Sequence, residues 1–171
     1  HIASINGAGE YTTTVFRYID WLVTVPLQIV EFYLILAAVT MVPLMLFWRL
    51  LGASLVMLVF GFLGEAGIYP AMPMFILGMA GWIYIIYEVF AGEASRLSVG
   101  SSNAGAQFAF NTLRIILTLG WAIYPIGYYL GVGDSGSSDA ANIVYNLADL
   151  VNKTAFGLAI WAGAKMDSEN N

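Results

Sequence analysis

The sequence contains no cysteine, which excludes a disulfide framework and a thiolate metal site. It is also poor in charge, since only 10% of its 171 residues are Asp, Glu, Lys or Arg, against roughly 25% in a typical soluble domain. Six residues are basic and the net charge is −5, which excludes a basic surface for nucleic acid. We therefore predict neither a metal site nor a nucleic-acid partner, and the chain cannot cover a water-facing surface in the usual way.

Apolar residues are abundant instead. They make up 60% of the chain, and the mean hydropathy is +0.78. A helix needs about 20 apolar residues to cross a bilayer. The pattern predicts an all-α integral membrane protein, a single helical bundle in the lipid bilayer, with approximate spans 15–39, 42–63, 72–90, 107–130 and 141–164. Small residues within these spans should let the helices approach closely; they include Gly61, Gly64, Gly78 and Gly81.

The basic residues predict the orientation of the bundle. If the spans alternate in direction, one side of the membrane receives Arg49, Arg96, Arg114 and Lys165. Loops rich in Lys and Arg stay in the cytoplasm, so we expect this side, with the C-terminus, to be cytoplasmic. The two remaining basic residues, Arg17 and Lys153, fall in or near the membrane and need another explanation.

Ionisable residues inside a span indicate a functional site by default. Asp20 and Glu31 are eleven positions apart and so share a face of the first span, with Arg17 one turn from Asp20 as its expected counter-charge. Asp149 and Lys153 form an i,i+4 pair on the fifth span. We predict that the two faces meet with Lys153 between Asp20 and Asp149. Glu31 should stand apart among apolar neighbours, nearer the cytoplasm and protonated, which is the layout of a proton relay.

Structural interpretations compete with this one. A lysine in a span can extend to the interface or neutralise a structural aspartate. Lys153 lies near the middle of its span, too far from either end to reach water, and the matched charges on two faces favour a functional role. Glu88 and Arg114 lie near the ends of their spans and are predicted to be interfacial and structural.

Aromatic residues occur within the spans as well as at their ends, where aromatic belts usually form. Those of interest are Trp21, Trp82, Trp121 and Tyr124. They could pack the core, or they could hold a flat, elongated, apolar ligand, and periodicity does not choose between these two. Pro125 predicts a kink in the fourth span.

Several segments resemble the microbial rhodopsins, and among them the proteorhodopsins, from about residue 12 onwards. The match to the third helix of that family is carried by residues 17–27 (RYIDWLVTVPL) and 31–33 (EFY), the sixth by 120–125 (GWAIYP), and the seventh by 145–149 (YNLAD) and 151–153 (VNK). Residues 64–67 (GEAG) and 110–112 (FNT) match more weakly. The resemblance implies a seven-helix rhodopsin bundle of which this chain supplies helices three to seven, without the first two.

The resemblance also implies a cofactor and a set of residue roles. Retinal would be bound, in its all-trans form, as a protonated Schiff base on Lys153. Asp20 would be the primary proton acceptor, Asp149 the second counterion, and Glu31 the cytoplasmic proton donor. Arg17 would lie beneath the counterions on the extracellular side. The retinal pocket would be lined by Trp21, Trp82, Trp121, Tyr124 and Pro125.

The function implied by the resemblance is light-driven outward proton pumping rather than enzymatic catalysis, because Asp20, Thr24 and Glu31 match the set found in outward pumps. Gln28 occupies the family's colour-tuning position and resembles the blue-absorbing branch. The family implies a bacterial inner membrane and a homo-oligomer of five or six subunits. Two alternatives are a photosensor that signals to a partner and a retinal-free ion transporter. His1 is either the family's helix-two histidine or an unrelated terminal residue.

Overall fold

The computed structural model describes residues 13–131 and 138–169. Every regular element in these ranges is helical. Five segments form long rods that run back and forth, the fourth of them interrupted. The elements are α1 (Thr13–Ala37), α2 (Leu44–Glu65), α3 (Ala71–Phe90), α4 (Glu93–Gly100), α5 (Ala104–Ile115), a π-helical turn (Ile116–Gly120), α6 (Ile123–Gly131) and α7 (Ser138–Glu169).

Four helical segments of the described chain are long and apolar enough to cross a membrane. They are Thr14–Ala37, Leu44–Glu65, Ala71–Gly100 and Ala104–Tyr129, and they overlap the first four predicted spans. The fifth predicted span lies within α7, a helix of 32 residues. That helix falls outside the four because polar residues interrupt its apolar sequence, among them Asn146, Asp149, Asn152 and Lys153.

Two features differ from the pattern expected from the sequence. The polar run between the third and fourth spans is not an irregular loop throughout, because residues 93–100 form the short helix α4. The irregularity in the fourth span also begins before Pro125, at the π-helical turn. Pro125 is the third residue of α6, and a proline in the first turn of a helix removes an N–H that has no intrahelical acceptor in any case.

Glycine allows the close packing of α2 against α3. A Cβ atom added to Gly81 would lie 2.5 Å from the carbonyl oxygen of Ala53, and one added to Gly78 would lie 3.2 Å from that of Met57. Glycine also allows α5 to pack closely against α7, where Gly105 and Gly163 face each other. Small residues therefore let these backbones approach closely, as the sequence predicts.

An ion pair between a buried carboxylate and a partly exposed arginine joins α2, α3 and α4 at one end of the bundle. Glu88 is almost fully buried, and its carboxylate lies 3.2 Å from the guanidinium of Arg49. The same carboxylate accepts hydrogen bonds from the Tyr84 hydroxyl and the Glu93 backbone N–H, both at 2.9 Å. Glu88 therefore fixes the start of α4. Arg114 lies over the ring of Phe90 at 5.0 Å.

Candidate functional site

Three charged side chains from two helices meet near the middle of the bundle. The Lys153 Nζ atom on α7 lies 2.5 Å from Asp20 Oδ2 on α1 and 3.3 Å from Asp149 Oδ2 on its own helix. The structure thus places Lys153 between the two carboxylates, which is the arrangement expected from helical spacing. A protonated nitrogen held between two carboxylates can give up a proton to either of them.

The two carboxylates differ in how firmly they are held. Asp149 accepts hydrogen bonds from Trp21 Nε1 at 3.1 Å and from the Tyr124 hydroxyl at 2.6 Å, and its side chain is only 17% exposed. The Asp20 side chain is 47% exposed and receives its hydrogen bond from Lys153 alone among the described residues. Asp149 is therefore fixed by neutral donors, whereas Asp20 can change its partner.

The π-helical turn supplies two backbone acceptors to this region. Trp82 Nε1 donates to the carbonyl oxygen of Leu117 at 2.9 Å, and Asn152 Nδ2 donates to that of Gly120 at 2.9 Å. Single π turns within α-helices interrupt the regular bonding ladder and occur frequently at functional sites. Here the interruption anchors one cavity tryptophan and the residue before Lys153.

A largely apolar cavity opens beside the Lys153 amine. Its space, including the open mouth, amounts to about 810 Å³. All seven residues that the sequence assigned to cofactor binding line it: Trp21, Gln28, Trp82, Trp121, Tyr124, Pro125 and Lys153. Gln28 is buried in this wall. The tryptophans are therefore not core packing alone, because they form walls around a space.

Arg17 is placed differently from the expectation. It does not serve as the counter-charge of Asp20, because its guanidinium lies 2.5 Å from Glu65 Oε1 at the end of α2. It also donates to the Asn142 side chain and lies 4.3 Å above the ring of Tyr145. The carboxylate of Glu65 is the nearer anion, because the antiparallel packing of α2 on α1 brings the end of one helix beside the start of the other.

Glu31 lies on the same helix as Asp20, but its side chain is exposed rather than enclosed by apolar neighbours. The flanking residues that the sequence suggested as its surroundings, Ile29 and Phe32, point into the bundle and are fully buried. Adjacent residues of a helix face different directions, which is why neighbours in sequence did not become neighbours in space. His1 lies outside the described residues.

Several cavity residues were not predicted as part of the site, among them the polar residues Tyr18, Glu65, Tyr145 and Asn152. Tyr18 and Asn152 each adjoin a predicted site residue, so the signal available was proximity on a shared helix. Glu65 falls in a break between spans, and only the packing of α2 on α1 shows that it faces the site.

The chain is similar in sequence to proteins of a known family. The profile of the bacteriorhodopsin-like protein family matches residues 2–166. A green-light absorbing proteorhodopsin of Gamma-proteobacterium EBAC31A08 is 56% identical over 159 residues, covering 92% of this chain and 64% of that protein. A blue-light absorbing proteorhodopsin of Gamma-proteobacterium Hot 75m4 is 54% identical, covering 93% and 64%. The chain thus spans somewhat less than two thirds of the length of these curated relatives.

Solved structures show the same likeness. The crystal structure of a blue light-absorbing proteorhodopsin from Med12 is 59% identical, with a TM-score of 0.77 over 94% of this chain and 71% of that one. Xanthorhodopsin, described as a light-driven ion pump with dual chromophore, is 26% identical with a TM-score of 0.76, covering 95% and 68%. The helical architecture, the family match and these identities agree, and the chain belongs to the bacteriorhodopsin-like family of rhodopsins.

Proposed function

We propose that this chain carries the retinal site of a light-driven outward proton pump in a bacterial inner membrane. The observation that carries the proposal is the Lys153 amine, 2.5 Å from Asp20 and 3.3 Å from Asp149, at the wall of an aromatic cavity. An ammonium and two carboxylates are costly inside a membrane. Their joint presence beside a cavity that suits an elongated apolar molecule supports a bound chromophore more than a structural salt bridge.

The donor set fits retinal. Lys153 offers the primary amine that a Schiff base with its aldehyde requires, and Trp21, Trp82 and Trp121 offer apolar walls. Bound in this way, retinal supplies the absorption of light and the change of shape that follows. The protein's own groups then handle the proton. Asp20 accepts it from the Lys153 nitrogen, since Asp20 is the closer and less restrained carboxylate.

Asp149 stays in place in this scheme, because the Trp21 indole and the Tyr124 hydroxyl both donate hydrogen bonds to its carboxylate. Glu31, eleven residues along α1 from Asp20, returns a proton from the cytoplasmic side. It lies towards the end of α1 that is assigned to that side. The two carboxylates of α1 thereby define an outward direction of transport, with acceptor and donor on opposite sides of the Lys153 nitrogen.

The finer features of the proposal rest on resemblance. The helices α1, α2, α3, α5 with α6, and α7 correspond to helices three to seven of the family, and the C-terminus faces the cytoplasm. Buried Gln28 in the cavity wall supports a blue-absorbing pigment. Relatives named for green and for blue absorption are almost equally identical to this chain, so overall identity does not distinguish the two colours. The proposal of blue absorption therefore rests on Gln28. The oligomer is proposed to have five or six subunits.

The decisive test is an absorption spectrum of the purified protein, with any native flanking sequence included, after addition of all-trans retinal. A visible band should appear in the wild type and be absent from Lys153→Ala. If the wild type develops no visible band, a retinal-free ion transporter becomes the better-supported function.

Transport separates a pump from a photosensor. Illuminated cells or liposomes should acidify the outer medium, and an uncoupler should abolish the signal. A visible band without net proton movement under strong light would favour the sensor. In the pump, Glu31→Gln should slow the return of the proton to the site, which is measured as slower decay of the deprotonated intermediate.

A further inference from the structure

A second charged cluster adjoins the Lys153 site, and the proposed function makes no use of its carboxylate. Arg17 and Glu65 pair at 2.5 Å, with side-chain exposures of only 9% and 16%. The Tyr18 hydroxyl donates to the other oxygen of Glu65 at 3.1 Å. Glu65 and Tyr18 line the same cavity as Lys153. This is a largely buried ion pair within the chromophore site, not a surface salt bridge.

The partners of Arg17 hold its guanidinium where it pairs with Glu65 and not with Asp20. Glu65 accepts a hydrogen bond from one guanidinium nitrogen, and the Asn142 side chain accepts one from the other. The guanidinium carbon also lies 4.3 Å from the centre of the Tyr145 ring. Asp20 is only one helical turn from Arg17 on α1, and its described partner is Lys153 alone. A long arginine side chain released from Glu65 could therefore reach Asp20.

The balance of charge gives this restraint a consequence. Lys153 and Arg17 are two cations, and Asp20, Asp149 and Glu65 are three carboxylates, so the ionised cluster carries a net charge of −1. With Arg17 neutralised by Glu65, the full negative charge of Asp20 and Asp149 acts on Lys153. If Arg17 moved towards these two carboxylates, it would offset part of their field at the nitrogen.

We propose that Glu65 is a positioning residue for the counterions: by holding Arg17, it keeps Lys153 the only cation, among the residues that the structure describes, in contact with Asp20 and Asp149. The inference rests on the proposed function, because its effect is read at a retinal Schiff base. Negative charge near the nitrogen stabilises the ground state, in which positive charge is localised there, more than the excited state. Glu65 therefore shifts the absorption band to shorter wavelength.

The test compares absorption maxima of the retinal-loaded protein. Glu65→Gln should move the band to longer wavelength, whereas Glu65→Asp, which keeps the charge, should stay nearer the wild type. Glu88→Gln is the matched control, because Glu88 is also a buried carboxylate paired with an arginine but lies outside the cavity. That control should leave the band in place.

A double-variant cycle shows whether Glu65 acts through Arg17. In an Arg17→Gln background, Glu65→Gln should add little further shift. An equal shift with and without Arg17 would overturn the positioning role, and so would a Glu65→Gln band identical to the wild type.

Should Glu65→Gln fail to fold, Asn142→Leu provides a second test, because it removes the other hydrogen-bond acceptor of Arg17. Asn142→Leu should shift the band in the same direction, and the absence of a shift would overturn the proposal. A wild type without any visible band would instead refute the proposed function together with this inference.

Discussion

At the scale of single residues, the two aspartates around Lys153 have the same chemistry but different surroundings. Trp21 and Tyr124 hold Asp149, whereas Asp20 is half-exposed and pairs with the amine alone among the described residues. A hydrogen bond to a buried charged group contributes more than one to an exposed group. The stabilising role should thus belong to Asp149 and the proton-accepting role to Asp20.

Substituting each aspartate by asparagine separates these roles. Asp149→Asn should lower the free energy of unfolding by about 1–3 kcal/mol, because hydrogen bonds from Trp21 and Tyr124 to a neutral amide are weaker than those to a carboxylate, and the Lys153 amine loses one of its anions. Asp20→Asn should cost less, because among the described residues the Asp20 carboxylate accepts a hydrogen bond from Lys153 alone, and it should abolish light-driven acidification. Thermal unfolding in detergent and pH recordings on illuminated liposomes measure the two effects. Equal losses of stability would contradict the assignment.

Gln28 provides a separate prediction about colour. Its amide is buried in the cavity wall, and we expect it to stabilise charge at the Lys153 end of a bound chromophore in the ground state. Gln28→Leu removes this dipole at similar volume, so the visible band should move to longer wavelength. Gln107→Leu is a suitable control, since Gln107 bonds to the backbone of Ser101 and does not line the cavity. A band unmoved by Gln28→Leu would remove the support for blue tuning.

At the scale of helices, the sequence predicted the existence of the long elements better than their interruptions. Runs of apolar residues mark α1, α2 and α3 because length and hydropathy are local properties. Hydropathy does not reveal the π-helical turn at Ile116–Gly120, because this turn differs from an α-helix only in that each hydrogen bond spans one more residue. Glu88 caps α4 from the preceding helix, a contact that hydropathy does not encode.

Close helix packing was predictable from glycine, and it yields a stability test. Gly81→Ala would place a methyl group 2.5 Å from the Ala53 carbonyl oxygen, so α2 and α3 would have to separate. Overpacking of this kind costs roughly 1–3 kcal/mol. Gly52→Ala, also within a helix, meets no atom within 4 Å and should be neutral or stabilising. Thermal unfolding of the two variants under the same conditions makes the comparison, and similar midpoints would show that the contact is not tight.

At the scale of the whole molecule, helical periodicity was sufficient to bring Asp20, Lys153 and Asp149 together, because the cation on α7 can offset the anion on α1 only where the two polar faces meet. It was not sufficient for Arg17. The choice between Asp20 and Glu65 depends on how the end of α2 lies against the start of α1, 48 residues apart in sequence. Contacts between helices of this kind require the packed bundle, whereas contacts within one helix follow from spacing.

The packed bundle also divides the charges between its two ends. The Arg17 and Glu65 cluster lies at one end, and the Arg49, Glu88 and Glu93 cluster lies at the other. Arg96 and Lys165 lie at the same end as Arg49, since the helices alternate in direction. Loops rich in Lys and Arg remain in the cytoplasm, so this end should face inwards and the turn that contains Tyr69 should face outwards.

Because the sequence has no cysteine, single cysteines can test this orientation without background from the chain itself. Tyr69→Cys and Ser102→Cys both place the thiol at an exposed position, at opposite ends of the bundle. In intact cells stripped of their outer membrane, a membrane-impermeant maleimide should label Tyr69→Cys at once and Ser102→Cys only after permeabilisation. The reverse order would place the basic end outside. Proton uptake and release would then exchange sides, and illumination would alkalinise the medium.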